Sequence, residues 1–454
     1  MKKNNSPWLT QLHKDRNIVS LQKDIHTDVV VVGAGIAGIT TLYFLLTQTD
    51  KHVVVLEGHK ISHGATGHNA GQVVAEFEKP LKEIVLEHGI EKAVAGVHSV
   101  ELAWDLLKEI LKETKITVPF HEFVGCGGYS ELVQLINDLE TEKIRKEYGL
   151  PSFPILVSFE SGWFTQIPEV YKTLCKEVPQ EEILERLEVL HPDYHAVIQQ
   201  NKAVLNSALF TEKLALWCLE KFPSRCSIFE YSFVHGIELE EKTPVVITNE
   251  AKVFCEKIVL CTNGFENFYI HDTKGIDIDG KFHHVVQGAV GYMTGFVSEH
   301  PEKYMANYYY DTGKIRGNDP FSSDPYFYVT KRNFNHDAGM FQLTTIGGPE
   351  VRLDNREIYH REFETADELQ NASVRFAEQH FDMIDVEQRF FWHGLMGYTT
   401  SGVRLVGPEP LEPRLLYNLG CNGVGILPSI MGARKIARHV NGEKVEETIF
   451  DPKR

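Results

Sequence analysis

The chain has 454 residues, too many for one simple core, so two or three domains are expected. Hydrophobic residues make up 43% and charged residues 24%, as in ordinary globular proteins, and a net charge of -17 argues against nucleic acid or an anionic membrane as the main partner. Seven widely spaced cysteines without a C-x-x-C pair point to neither a disulfide framework nor a zinc site, and are read as a reducing, cytoplasmic setting.

Residues 1–27 read as a polar arm with little periodicity, and the opening M-K-K-N-N-S-P-W-L-T lacks the apolar run of a secretory leader. Val29 to Thr49 carries no charge and is long enough to span a bilayer, but closely spaced glycines favour a strand–turn–helix and no membrane span is expected. The strand is the β-branched run from Asp28 to Val32, the helix runs from Ile36 to Leu46, and a second buried strand covers Val53 to Leu56. Together they form a β-α-β unit. Leu81 to Thr117 is helical in pattern, with Val97, Val100, Trp104, Leu107 and Leu111 on one stripe. Phe120 to about Gln200 is mixed. A capped helix is predicted from Thr211 to Phe222, then short strands at Ile228–Tyr231, Val245–Thr248 and Lys257–Cys261, the last ending in C-T-N-G. Residues 285–348 carry aromatic, alternating runs such as Tyr308–Tyr310 and Tyr326–Thr330, which predict an antiparallel sheet. A helix follows over Glu364–His380, and a final one from about Ser429 to Val440.

Gly33-Ala34-Gly35-Ile36-Ala37-Gly38 spells G-x-G-x-x-G between strand and helix, with Glu57 nineteen residues beyond Gly38 at the end of the next strand. This is the dinucleotide fingerprint in its full context. Gly33 permits the turn, Gly35 admits a pyrophosphate and Gly38 allows helix and strand to pack closely, while the helix N-terminus offers N–H groups to phosphate. Glu57 can accept from a ribose hydroxyl and would repel a ribose phosphate, which favours FAD or NAD over NADP. Gly64-Ala65-Thr66-Gly67-His68-Asn69-Ala70-Gly71 is suited to run beneath an isoalloxazine ring, and Gly420-Cys421-Asn422-Gly423-Val424-Gly425-Ile426 can offer N–H groups and a helix N-terminus to its pyrimidine end. Both favour FAD. Val234 is a further candidate cofactor contact.

The run D-V-V-V-V-G-A-G-I-A-G, V-V-V-L-E at Val53–Glu57, G-A-T-G-H-N-A-G-Q, C-T-N-G, W-H-G at Trp392–Gly394, S-G-V-R-L-V-G at Ser401–Gly407 and the last Gly-rich turn resemble the D-amino-acid-oxidase-like family of FAD oxidoreductases. The resemblance covers nearly everything after residue 27. The arm and the long G-A-T-G-H-N-A-G-Q run are most similar to the γ-glutamylputrescine oxidase branch. It implies an α/β chain: a discontinuous Rossmann-type FAD-binding domain (28–118, 203–266 and 391–454) behind the arm 1–27, and an α+β substrate domain on an antiparallel sheet (119–202 and 267–390). It also implies hydride transfer from the carbon of a C–N bond to flavin, hydrolysis of the imine, and oxygen or another acceptor for the electrons. Tyr328, Lys331 and Tyr398 are the candidate catalytic residues, with Tyr326 and Arg332 beside them in the substrate cavity.

Three departures from the family pattern matter. Met396 stands where amino-acid-oxidising relatives place a carboxylate-gripping arginine, which favours an amine over a small α-amino acid unless Arg332 or Arg404 takes the role. Ser401-Gly402 replaces the usual Asp-Gly. No cysteine lies between Cys261 and Cys421, so no cysteinyl link is expected. His68 admits two readings, a covalent histidyl-FAD bond as in dimethylglycine and sarcosine dehydrogenases, or a polar contact to the cofactor. Two other readings of the chain are an NAD-dependent dehydrogenase and a flavin-bearing subunit without turnover of its own. Gly35→Val is expected to abolish FAD binding, because the side chain would occupy the pyrophosphate's place; stoichiometric FAD in the visible spectrum of that variant would refute the fingerprint assignment.

Overall fold

The computed structural model describes residues 4–264, 268–278, 280, 286–299, 303–311, 326–336, 339–354, 359–360, 367–383 and 385–453. Parts of the expected elements at 285–348 and 364–366, and the domain boundary at 266/267, lie outside them.

A six-stranded sheet has the order Leu405–Pro408, Leu415–Leu419, Lys257–Leu260, Val29–Val32, Val53–Leu56, Cys226–Phe229. All neighbours are parallel except Leu405–Pro408, which runs antiparallel to Leu415–Leu419. Its strands are apolar on both faces because both are covered. Val29, Val31, Val53 and Val55 pack against helices Ile36–Gln48, Ser207–Lys221 and Ile426–Val440. Val30, Val32, Val54 and Leu56 pack against a five-stranded sheet that contains Val234–Leu239, Val245–Thr248 and Lys252–Phe254.

The largest sheet is ten-stranded and mixed. Glu387–Thr399, Val286–Ser298, Gly339–Arg352, Tyr326–His336 and Met305–Tyr310 follow one another antiparallel. Met305–Tyr310 then pairs in parallel with Phe120–Tyr129, so the sheet as a whole is not purely antiparallel. Phe120–Tyr129 pairs with Ala196–Leu205, which also takes Gln72–Val74. The positions 202/203 and 390/391, where the sequence divides the two domains, fall inside the strands Ala196–Leu205 and Glu387–Thr399. Glycines let this sheet close down on the nucleotide-binding layer. A Cβ on Gly394 would lie 2.3 Å from the His68 carbonyl oxygen, and one on Gly397 would lie 2.1 Å from that of Asn263.

Several boundaries differ from the sequence expectation. The helix expected at Thr211 is Ser207–Lys221, because the Asn206 side chain accepts from Leu209 N–H at 3.0 Å and caps it earlier. The helical run after Leu81 is three helices, Leu81–His88, Ile90–Glu101 and Ala103–Thr114, the first break made at Gly89 with φ +79°. The last helix begins at Ile426 rather than Ser429.

The arm is not merely a polar tail. Trp8 is fully buried, edge-on to Trp392 at 6.4 Å, and its indole N–H donates to Asn69 O at 2.6 Å. Arg16 pairs with Glu212 and Glu230, and Ile25–His26 adds a parallel strand beside Lys252–Phe254. One buried tryptophan creates no periodicity, so the sequence pattern misses this contact. Trp8→Ala is expected to cost about 3–5 kcal/mol, as for other large-to-small aromatic truncations in a core. Denaturant unfolding checks it, and a loss under about 1 kcal/mol would mean that the arm does not hold the core.

Candidate active site

The turn between the first strand and helix is set by backbone crowding. Gly33 has φ +103°, and a Cβ there would lie 2.8 Å from Cys261 O; a Cβ on Gly38 would lie 1.8 Å from Gly33 O. Gly35 caps helix Ile36–Gln48 without a side chain, and a Cβ on it would lie 3.0 Å from Thr66 Oγ1. That hydroxyl accepts from Ile36 N–H at 2.9 Å. Ala34 is buried, and its N–H donates to Glu57 Oε2 at 2.8 Å, while His59 N–H donates to Glu57 Oε1 at 2.9 Å. Two backbone donors therefore fix the Glu57 carboxylate at the rim of the turn.

From here a single cavity of about 410 Å³ runs to the large sheet. It is lined by Gly33, Gly35, Ile36, Ala37 and Glu57 at one end, with Val234 beside them. Gly38 and Ala34 do not line it; they serve the packing of the turn beneath.

Gly64, Ala65, Thr66, His68, Asn69, Ala70 and Gly71 form its next stretch. Asn69 builds the loop from within. Its Nδ2 donates to Ala65 O, Thr66 O and Ser207 Oγ, and its Oδ1 accepts from Gly71 N–H at 2.8 Å. His68 Nδ1 lies 2.9 Å from Gly64 O. A carbonyl only accepts, so Nδ1 carries the hydrogen there.

Gly423, Val424, Gly425 and Ile426 bring the N-terminus of the last helix to the same cavity. Asn422 does not line it. It is buried with φ +46°, and its Oδ1 accepts from Thr399 N–H at 2.8 Å, so it shapes the turn. Arg404 lines the cavity with its guanidinium bound to Asn418 Oδ1 and O, both at 2.7 Å. Burial holds its pKa down at about 10.

The far end is aromatic and acidic. Tyr308, Tyr326, Tyr328, Tyr398, Met293 and Met396 line it together with Glu78 and Glu350. Tyr326 Oη donates to Glu78 Oε1 at 2.7 Å, and Tyr398 Oη to Glu350 Oε2 at 3.3 Å. Burial, and then the neighbouring carboxylates, push the phenols of Tyr326 and Tyr398 well above the usual range. The Tyr328 ring fills the space over Gly347, where a Cβ would lie 2.3 Å from Cε2. Met396 lies over Gly291 in the same way.

Sequence reasoning did not single out Glu78, Glu350 or Tyr308. Glu78 stands between a strand and a helix with no local motif, and only the fold brings it to Tyr326. Two expected substrate residues lie elsewhere. Lys331 pairs with Glu188 at 2.9 Å, because it is three positions from Tyr328 and a strand alternates faces. Arg332 is on the tyrosine side but is buried against Trp8, its ring 5.0 Å away, with Nη2 donating to Pro119 O at 3.3 Å. Of the two arginines that could replace the missing carboxylate grip at Met396, only Arg404 reaches the cavity, and it is committed to Asn418.

A family model described as FAD dependent oxidoreductase matches residues 28–439. Over 246 residues the chain is 23% identical to a Rieske 2Fe-2S iron-sulfur protein of Bacillus subtilis, covering 54% of this chain and 42% of the relative. Over 97 residues it is 35% identical to γ-glutamylputrescine oxidoreductase of Escherichia coli, covering 21% and 22%. The chain thus matches less than half the length of these curated relatives. Glycine oxidase from Geobacillus kaustophilus shares the fold, with a TM-score of 0.67 at 16% identity over 94% of this chain and 96% of that one. Among the described residues no helix is long and apolar enough to cross a membrane, and no cluster of potential metal ligands occurs. Lys331→Ala is expected to leave FAD content and the rate of amine-driven FAD reduction unchanged, and to cost at most about 1 kcal/mol of stability. A large fall in the reduction rate, read by stopped-flow absorbance, would return Lys331 to the chemistry.

Proposed function

The chain belongs to the DAO family of FAD-dependent oxidoreductases, and on that premise we propose that it oxidises a C–N bond of a small amine or amino-acid-like molecule. The observation that carries this reading is the continuity of one cavity from the G-x-G-x-x-G turn to the tyrosine cluster. Cofactor and substrate can meet in it. Bound FAD supplies the hydride acceptor, and the resulting imine hydrolyses in water.

The chain's own residues do the rest. The N-terminus of helix Ile36–Gln48 faces the pyrophosphate with its N–H groups and partial charge. Glu57 would accept from the ribose of the adenosine, and Val234 would lie along that end of the cofactor. The Gly64–Gly71 loop would hold the ribityl and ring portion. The turn at Gly423–Ile426 would offer N–H groups to the pyrimidine end. Tyr328, held over Gly347, and Tyr398, held by Glu350, position the substrate and keep it out of bulk water. Oxygen, or another acceptor, takes the electrons. All seven cysteines are thiols, which supports a reducing, cytoplasmic setting.

We infer that FAD is held without a covalent bond. His68 Nδ1–H is bound to Gly64 O, so only Nε2 could carry a bond to flavin, and we take its role as the polar contact. A visible spectrum before and after denaturation and filtration tests both points. Flavin bands that pass the filter with the small-molecule fraction are the expected result. Colour that stays with the protein, and is lost in His68→Ala, would make His68 the site of attachment. A colourless protein that cannot be reconstituted with FAD would overturn the function proposed.

A further inference from the structure

We propose that the substrate carries two cationic centres, a short aliphatic diamine being its class, and that Glu78 and Glu350 select it; this rests on the amine-oxidising reading above. Both carboxylates line the end of the cavity that four tyrosines and two methionines also line. Tyrosine faces suit cations, and the methionines Met293 and Met396 offer apolar, adaptable walls to a methylene chain.

Glu78 lies beside the glycine-rich turn before the last helix, since a Cβ on Gly423 would be 2.9 Å from its Oε2. The same Cβ would be 3.4 Å from Tyr398 Oη, and that hydroxyl donates to Glu350 Oε2. The Tyr398 hydroxyl therefore lies close to both acidic groups, which share one stretch of the cavity. Glu350 stands opposite Gly291 in the sheet, and no side chain at Gly291 blocks it.

The charges around this end favour cations. Glu78 and Glu350 both raise the phenol pKa values of Tyr326 and Tyr398, so the field there is negative. Among the described lining residues, the one guanidinium is that of Arg404, bound to Asn418. Lys202 does not line the cavity; its Nζ stacks on the Tyr308 ring, 3.2 Å from the centroid. A substrate carboxylate would meet two like charges here.

The acids divide the work. An alkylamine reaches the site as an ammonium ion, and its α-carbon gives up hydride only once the nitrogen lone pair is available. Glu78 accepts one proton from the reacting ammonium, giving a neutral amine and a carboxylic acid. The neutral amine would then be able to give up hydride from its α-carbon, bound FAD being the two-electron acceptor the reaction requires. Glu350, with Tyr398, holds the second ammonium, which stays charged throughout.

The test uses the holoprotein under anaerobic conditions and follows bleaching of bound FAD by 1,4-diaminobutane, 1-aminobutane, glycine and N-methylglycine. The diamine is expected to half-saturate at a concentration about tenfold or more below that of 1-aminobutane. Glu350→Gln should remove that advantage, bringing the diamine's half-saturating concentration to that of 1-aminobutane measured on the same variant, with FAD content read from its visible spectrum as the control. Glu78→Gln should slow reduction by both amines and shift its pH profile upwards, towards the free amine's own titration. Equal use of mono- and diamine, or an unchanged diamine response in Glu350→Gln, would overturn the proposal. Bleaching by glycine or N-methylglycine with no response to the diamine would overturn it and leave the oxidoreductase reading standing. If no compound bleaches or perturbs the flavin spectrum the proposal also fails, whereas a chain that takes up no FAD refutes the broader reading itself.

Discussion

The close approach of Gly38 to the carbonyl of Gly33 is the constraint on which the rest depends. A side chain at Gly38 would push helix Ile36–Gln48 off the strand before it, and one at Gly33 would meet the Cys261 carbonyl that follows the neighbouring strand. With both glycines in place, the helix starts directly above the end of strand Val29–Val32. Its N-terminus then opens onto the cavity, which Gly35, Ile36 and Ala37 line. Glu57 reaches back from the neighbouring strand to Ala34 N–H and locks the turn. The Thr66 hydroxyl takes Ile36 N–H and ties the second glycine-rich loop to the same point. Three segments distant in sequence thus share one origin, and the cavity grows outward from it.

A second set of close approaches brings the large sheet to that origin. Gly394 and Gly397 lie on one strand and touch the backbone of His68 and Asn263. Larger residues at these positions would open a gap between the layers. Trp8 reinforces the seam from the other side, stacked edge-on to Trp392 and bonded to the Asn69 carbonyl. Asn69 turns its whole amide inward to hold the loop, so its contribution to the cofactor is the shape of the loop.

What could be read from the sequence follows from this geometry. The strand–turn–helix, Glu57, the Gly64–Gly71 loop and the last glycine-rich turn are local motifs, and spacing alone marks them. The tyrosines at 326 and 328 were legible as one face of a strand. The same alternation excludes Lys331, and periodicity was a better guide there than residue chemistry. Glu78 and Glu350 were not legible, because each becomes a site residue only through a tyrosine on another strand. Trp8 was hidden for a similar reason: its partners lie at 69 and 392. The helix at Ser207 was readable in principle from Asn206, but the cap is a single residue in an apolar context and carries little pattern.

The cavity also sorts charge along its length. At one end the N-terminus of helix Ile36–Gln48 directs partial positive charge inward, and that of Ile426–Val440 opens further along, where Gly423 lies against Glu78. At the other, two carboxylates sit among buried phenols. On the reading proposed, the pyrophosphate of FAD would lie at the first end and a cationic amine among the carboxylates. Met396 completes this division. A guanidinium there would pair with Glu350 or Glu78 and cancel the field that holds an ammonium, whereas a thioether leaves the field intact and adds only a contact surface. The residue that departs from the amino-acid-oxidising pattern and the acids that no motif announces are thus two parts of one electrostatic arrangement.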